Sequence, residues 1–186
     1  ATTEIYTLSL HDALPIYNDE KADPTRHTDP GTTFDDHLRR YVNETRAKGG
    51  IPVLFNSIVR RNFVQPKDTS ILKDVRRTPG ESEPPKEGTV LFDTHGAYLD
   101  SPRNVAKELG VAFIDMNKIT HDLVEGLGPV ESKKLFMFVE PDQVPAFPKG
   151  REDNTHLNVY GARVIAGLAV EAIGKAVPEL APYIRH

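Results

Sequence analysis

Cysteine is missing from this 186-residue sequence. That excludes disulfides, thiolate metal sites and a cysteine nucleophile, while leaving the compartment open. Long apolar runs are missing as well. Even the hydrophobic stretch near the C-terminus is interrupted by Arg163, Glu171 and Lys175, so nothing reads as a membrane span. Neither sign of charge dominates: 23 Lys and Arg face 27 Asp and Glu, a formal net charge of -4. Without a basic footprint, nucleic acid is not expected as a partner. HxH, HExxH and helical paired-His spacings are also absent. A metal-dependent hydrolase built on Asp19, His95 or His156 therefore has no ligand pattern behind it. No internal repeat is visible, and the length suits one domain with a proper core.

What is present is a polar knot, Glu152-Asp153-Asn154-Thr155-His156-Leu157-Asn158, between a Pro/Gly-rich stretch and an apolar helix. Two residues separate Asp153 from His156, so a single turn brings carboxylate and imidazole together. A carboxylate that fixes one ring nitrogen as a donor leaves the other to take a proton from a hydroxyl, which is what nucleophilic catalysis requires. Asn158 reads as the N-cap of the following helix, placing His156 on a loop just ahead of a helix start. The same interval also arises where an Asp or His only caps a helix or bonds the backbone. Spacing alone does not choose between the two.

Asp153-Asn154-Thr155-His156-Leu157-Asn158, followed by Tyr160-Gly161-Ala162, resembles the last sequence block of the SGNH (GDSL-type) hydrolases. Within them it is most similar to the rhamnogalacturonan acetylesterase-like carbohydrate esterases. The resemblance implies that Asp153 and His156 are the acid and base of a Ser-His-Asp triad. Asn18-Asp19 matches the end of the family's Gly-His-Asn-Asp block, with Ile16 and Tyr17 standing where Gly and His would be. It implies that the Asn18 amide serves the oxyanion hole, where one such donor is worth about 3 kcal/mol of barrier. A turn-forming Asn-Asp pair is the alternative. Thr94-His95-Gly96 is also similar to a segment of these esterases, and His95 reads as structural or substrate-contacting rather than as a second base. The family carries its nucleophile in a Gly-Asp-Ser block on the first strand, and no Gly-Asp-Ser occurs here.

The resemblance implies an α/β fold, a three-layer α/β/α sandwich with a parallel sheet, flavodoxin-like and incomplete at the N-terminus. It implies removal of O-acetyl groups from a rhamnogalacturonan-type pectin, with an acetylated polysaccharide or oligosaccharide as partner and no cofactor, metal, nucleic acid or membrane. A non-catalytic carbohydrate-binding protein of the same fold is the alternative. Residues 17–186 are expected to form a single domain lacking its first strand and nucleophile block, so the chain as written is expected to be inactive. With an interior strand lost, exposed sheet would also make it poorly soluble. For localisation, the resemblance implies only the secreted or periplasmic setting of the family.

Residues 1–16, including Leu8-Ser9-Leu10-His11-Asp12-Ala13-Leu14-Pro15-Ile16, resemble a translated sequencing adapter and are set aside. Phe34, Leu38, Tyr41, Val42 and Thr45 share one face of a helix that runs to about Lys48. Asp35–Arg39, Asp36–Arg40 and Glu44–Lys48 are acid-before-base pairs on its wet side. Ile51–Phe55 reads as a buried parallel strand, with Asn56, Ser57, Arg60 and Arg61 at its carboxyl end, where open α/β sheets place ligands. The two arginines either meet acidic sugars or are surface charges. Residues 66–88, rich in proline and charge, read as a surface insertion whose place after a strand end lets it fold over the site as a lid. Val111–Met116 is a second buried strand, followed by a helix holding Ile119, Leu123 and Leu127 and ended by Gly128-Pro129. Pro141, Pro145 and Pro148 keep the approach to the polar knot extended. The final helix, about Val159 to Val177, is apolar on most faces and expected to be nearly buried, with Gly161 and Gly167 allowing close approach.

Overall fold

A computed structural model of the chain describes residues 19–64 and 89–184. The adapter-like segment 1–16, Asn18 and the insertion at 66–88 lie outside the described residues. Helices alternate with short strands, and two strands pair in parallel, so the α/β class expected from the sequence is the class observed. The described residues divide into two compact units, residues 19–57, 95–116 and 173–184, and residues 58–64, 89–94 and 117–172. Among the described residues no helix is long and apolar enough to cross a membrane.

In the first unit, helix α1 spans Thr33–Ala47 and strand β1 Val53–Phe55. Phe34, Leu38 and Val42 lie four apart and are buried, packing with Leu54 and with Val105 and Ala106. The buried stripe is turned toward Asp35 and away from Tyr41, which is 58% exposed. Asp35 is therefore not on the wet face. It is buried, and its Oδ1 accepts the backbone N–H of Gly31 at 2.9 Å. Arg39, freed from the expected pairing, bonds Asp36 and Glu108 instead. A short 3₁₀ turn at Gly96–Leu99 leads into helix α2, Asp100–Leu109, which carries Val105 and Ala106. Gly110, at φ 60, closes α2 and hands the chain back to the sheet. Strand β4, Ala112–Ile114, then pairs in parallel with β1, Val53 opposite Ala112 and Phe55 opposite Ile114. A helix such as α2 between them is what a parallel pairing requires.

In the second unit, β2 (Phe63–Val64) and β3 (Val90–Leu91) form a short antiparallel pair. Helix α3 spans Met116–Glu131, buries Thr120 and Val124, and is interrupted at Gly128, φ 71, ahead of Pro129. The core gathers Val59, Leu91, Val124, Leu135 and Phe136. Strands β5 (Phe136–Val139) and β6 (Arg151–Leu157) pair antiparallel, and helix α4 follows at Val159–Ala176.

Two expectations are corrected here. The polar knot is not a loop: it is strand β6, because backbone pairing with β5 extends through it. And α4 is not nearly buried. Only Gly161, Ile165 and Ala169, a narrow stripe four residues apart, are buried, while Val159 is 70% and Tyr160 55% exposed. A Cβ on Gly161 would lie 1.9 Å from the Leu135 carbonyl oxygen, so the close approach is real there. At Gly167 nothing lies within 4 Å, and close approach plays no part.

Candidate active site

Asp153 and His156 belong to one strand, where an odd interval would send their side chains to opposite faces. A break in the ladder overrides that rule. Met137 pairs with Asp153 while the adjacent Phe136 pairs with Leu157, so residues 154–156 bulge out of the pairing. Within the bulge the Asp153 carboxylate acts like an Asx turn. Its Oδ1 accepts the backbone N–H of Thr155 at 2.8 Å and of His156 at 2.9 Å. That turn brings the imidazole round, and Nδ1 of His156 lies 2.7 Å from Oδ2 of Asp153.

Asp153 is completely buried, whereas the His156 side chain is 49% exposed. Burial by itself pushes the Asp153 carboxyl up, toward its neutral form. The backbone N–H groups of His156 and Thr155, then the Arg151 and His156 side chains, outweigh it and hold the group below the usual carboxylate range. An ionised Asp153 only accepts, so His156 Nδ1 is the donor, and in the neutral ring the lone pair is then on Nε2.

Arg151 is a neighbour that sequence reading passed over. Its Nε donates to Asp153 Oδ2 at 3.1 Å, and Nη2 donates to the same oxygen. Asn158 does what was expected of it. Its Oδ1 accepts the N–H of Gly161 at 2.9 Å at the start of α4, and its Nδ2 donates to the carbonyls of Lys134 and Phe136. One side chain thus ties the end of β6, the start of α4 and the strand opposite.

Arg61, weighed as either a sugar-binding or a surface charge, is neither. It is 4% exposed and lies between the rings of Phe63 and Phe138, 5.6 and 5.2 Å from their centroids. Nε donates to Ser132 Oγ, Nη1 to Asn154 Oδ1 and Nη2 to the Pro129 carbonyl. Burial lowers its pKa, against the field of Glu152. Arg60 donates to Thr94 Oγ1 at 2.9 Å. Arg61 had no sequence signal beyond its place after a strand, because its partners are distant in the chain.

In the first unit, His95 is 5% exposed and its Nδ1 lies 2.6 Å from Glu20 Oε1. Asp19 Oδ1 accepts the Thr28 hydroxyl at 2.6 Å, and the Tyr98 hydroxyl donates to the carbonyl of Thr28 at 2.6 Å. Asn56 Nδ2 donates to Asp115 Oδ1 at 2.8 Å. Asn18 lies outside the described residues. Among the described residues no group of three or more His, Asp or Glu is arranged to hold a metal ion.

No family model matches the chain. It is 35% identical over 157 residues to rhamnogalacturonan acetylesterase RhgT of Bacillus subtilis (strain 168), a match covering 84% of this chain and 57% of that protein. It is 24% identical over 158 residues to the probable rhamnogalacturonan acetylesterase YesY of the same organism, covering 84% of this chain and 58% of that one. The chain spans little more than half the length of these curated relatives.

Proposed function

The chain belongs to the rhamnogalacturonan acetylesterase-like family of SGNH (GDSL-type) hydrolases, and from that premise we propose that it carries the acid–base part of a serine-type esterase site. Its substrate class is an O-acetylated pectic polysaccharide. The observation behind this reading is the 2.7 Å contact between a fully buried carboxylate and a half-exposed imidazole.

In the proposed reaction, His156 Nε2 takes the proton of a serine hydroxyl as its oxygen bonds to the acetyl carbonyl carbon. Asp153 keeps Nδ1 protonated and steadies the imidazolium that forms. The Asn18 amide and backbone N–H groups serve the oxyanion. The bond from the acetyl carbon to the sugar oxygen then breaks as His156 gives its proton to that oxygen, leaving an acetyl-serine and a free sugar hydroxyl. Water, deprotonated by the same nitrogen, releases acetate and restores the serine.

Residues 1–186 contain no Gly-Asp-Ser, so by itself the chain is proposed to be inactive. The test has two arms. The unmodified chain, given an aryl acetate, should show no turnover above background; ordinary turnover abolished by His156→Ala overturns the inactivity. A chimaera carrying the family's nucleophile block ahead of residue 17 should release acetate from acetylated rhamnogalacturonan, and lose that activity with His156→Ala. A folded chimaera that binds the oligosaccharide without releasing acetate supports the carbohydrate-binding alternative instead.

A further inference from the structure

The two oxygens of Asp153 are held by different means. Oδ1 is fixed by two backbone N–H groups, at 2.8 and 2.9 Å. Oδ2 is the oxygen that meets His156 Nδ1. The aspartate χ2 well is broad, so backbone bonds to Oδ1 alone let Oδ2 swing away from the ring. The His156 side chain is half-exposed, so burial alone does not fix the ring.

Arg151 removes that freedom. Two arms of its planar guanidinium donate to Oδ2, through Nε at 3.1 Å and through Nη2. The guanidinium is supported in turn, its Cζ lying 5.1 Å from the centre of the Phe147 ring. Phe147 sits in the β5–β6 connection, where its N–H bonds the Val144 carbonyl at 2.8 Å and its carbonyl accepts the Gly150 N–H at 2.9 Å. Gly150, at φ 76, directs the chain into β6, and a Cβ there would lie 2.7 Å from the Val139 carbonyl oxygen. The support therefore runs from the braced connection to Phe147, to Arg151, to Asp153 and to His156.

Other charges on the packed elements are engaged elsewhere. Arg61 is committed to Ser132, Asn154 and Pro129. Lys133 lies 5.1 Å over the Phe138 ring, and Lys134 pairs with Glu131. Glu152, between Arg151 and Asp153, is exposed. Strand β5 carries no titratable group.

We propose that Arg151 is a positioning residue of this site: it pins Asp153 Oδ2 in line with His156 Nδ1 and so holds the imidazole in its Nδ1–H tautomer. The consequence is chemical. A histidine ring in water favours the proton on Nε2, and that tautomer has no lone pair there to accept a hydroxyl proton. The fraction of the site ready to act as a base is then set by how firmly Oδ2 is held. This inference rests on reading Asp153 and His156 as an acid–base pair, but its test needs neither serine nor turnover.

The test is the ¹⁵N NMR signature of the His156 ring in the full chain at neutral pH, read in solution or on a hydrated sediment and assigned with His156→Gln. The unmodified chain should show the proton on Nδ1. Arg151→Met should move the Nδ1–H to Nε2–H ratio toward Nε2–H by roughly tenfold, as loss of a charge-assisted bond implies, and Arg151→Lys should recover part of it. Phe147→Ala, which leaves the arginine in place, should produce a smaller shift in the same direction. If Arg151→Met does not fold, Arg151→Gln serves. An unchanged ratio in a folded Met or Gln variant overturns the proposal. An inactive chimaera with the expected tautomer shift sinks the esterase reading and leaves this one standing.

Discussion

Arg61 holds Asn154 by main chain and side chain together: its backbone N–H donates to the Asn154 carbonyl at 2.8 Å and its Nη1 to the Asn154 side-chain oxygen at 2.6 Å. Asn154 is the first residue of the bulge that turns His156 back toward Asp153, so a buried arginine from outside β6 anchors the start of that turn.

Arg61→Met should therefore destabilise the fold by about 3 kcal/mol, because it leaves Ser132, Asn154 and Pro129 without their shared donor. Arg61→Lys should recover little, since one ammonium cannot reproduce a fork that reaches three acceptors and stacks between two rings. Urea unfolding of the two variants checks this. A lysine variant as stable as the parent contradicts it.

Asp153 makes the acid side of the stability curve informative. Its carboxyl is held below the ordinary value of 3.8. A group whose folded pKa is depressed stabilises the fold fully above its unfolded value, and that contribution is lost as pH falls through the folded one. Asp153→Asn should thus lower stability near neutral pH and flatten the decline below about pH 4. Urea midpoints between neutrality and strong acid measure it, and an acid limb as steep in the variant as in the parent would assign the decline to other carboxylates.

Two glycines of α4 should respond in opposite directions. Gly161→Ala drives a Cβ to within 1.9 Å of the Leu135 carbonyl oxygen, and overpacking against backbone should cost about 2 kcal/mol or more. Gly167→Ala enters open space on an exposed face, so the gain in helix propensity should stabilise by roughly 0.5–1 kcal/mol. Thermal unfolding of both variants decides the matter, and equal effects would mean that α4 does not dock through Gly161.

In the nucleophile-bearing chimaera, His156→Ala should reduce acetate release by about a thousandfold or more, since in the proposed reaction His156 is the group that takes the hydroxyl proton. Binding of the acetylated oligosaccharide should change far less. Separate measurement of kcat and KM distinguishes the two, and an effect confined to KM would recast His156 as a binding residue.

Much of this was legible because it is local. The Asp153–His156 contact and the Asn158 cap are each made between residues three positions apart, close enough for a single turn to join them. The Phe34-Leu38-Val42 face of α1 and the parallel pairing of β1 with β4 were readable from apolar spacing and short buried runs. Tyr41 and Asp35 went wrong at the edges of the same helix. Periodicity locates a stripe, but only the packed neighbours decide which way it is turned.

What the sequence by itself determined is therefore the chemistry within a few residues: a carboxylate able to reach an imidazole, a capped helix after them, and helices alternating with strands. Tertiary structure alone decided that this pair sits in a bulge of a paired strand and that Arg61 is buried while much of α4 is not. It also decided that Arg151 shares the oxygen that orients His156. The physical reason is that desolvation and the partners of long polar side chains are set by segments far apart in the chain, such as the 93 positions between Arg61 and Asn154, and no local pattern encodes them.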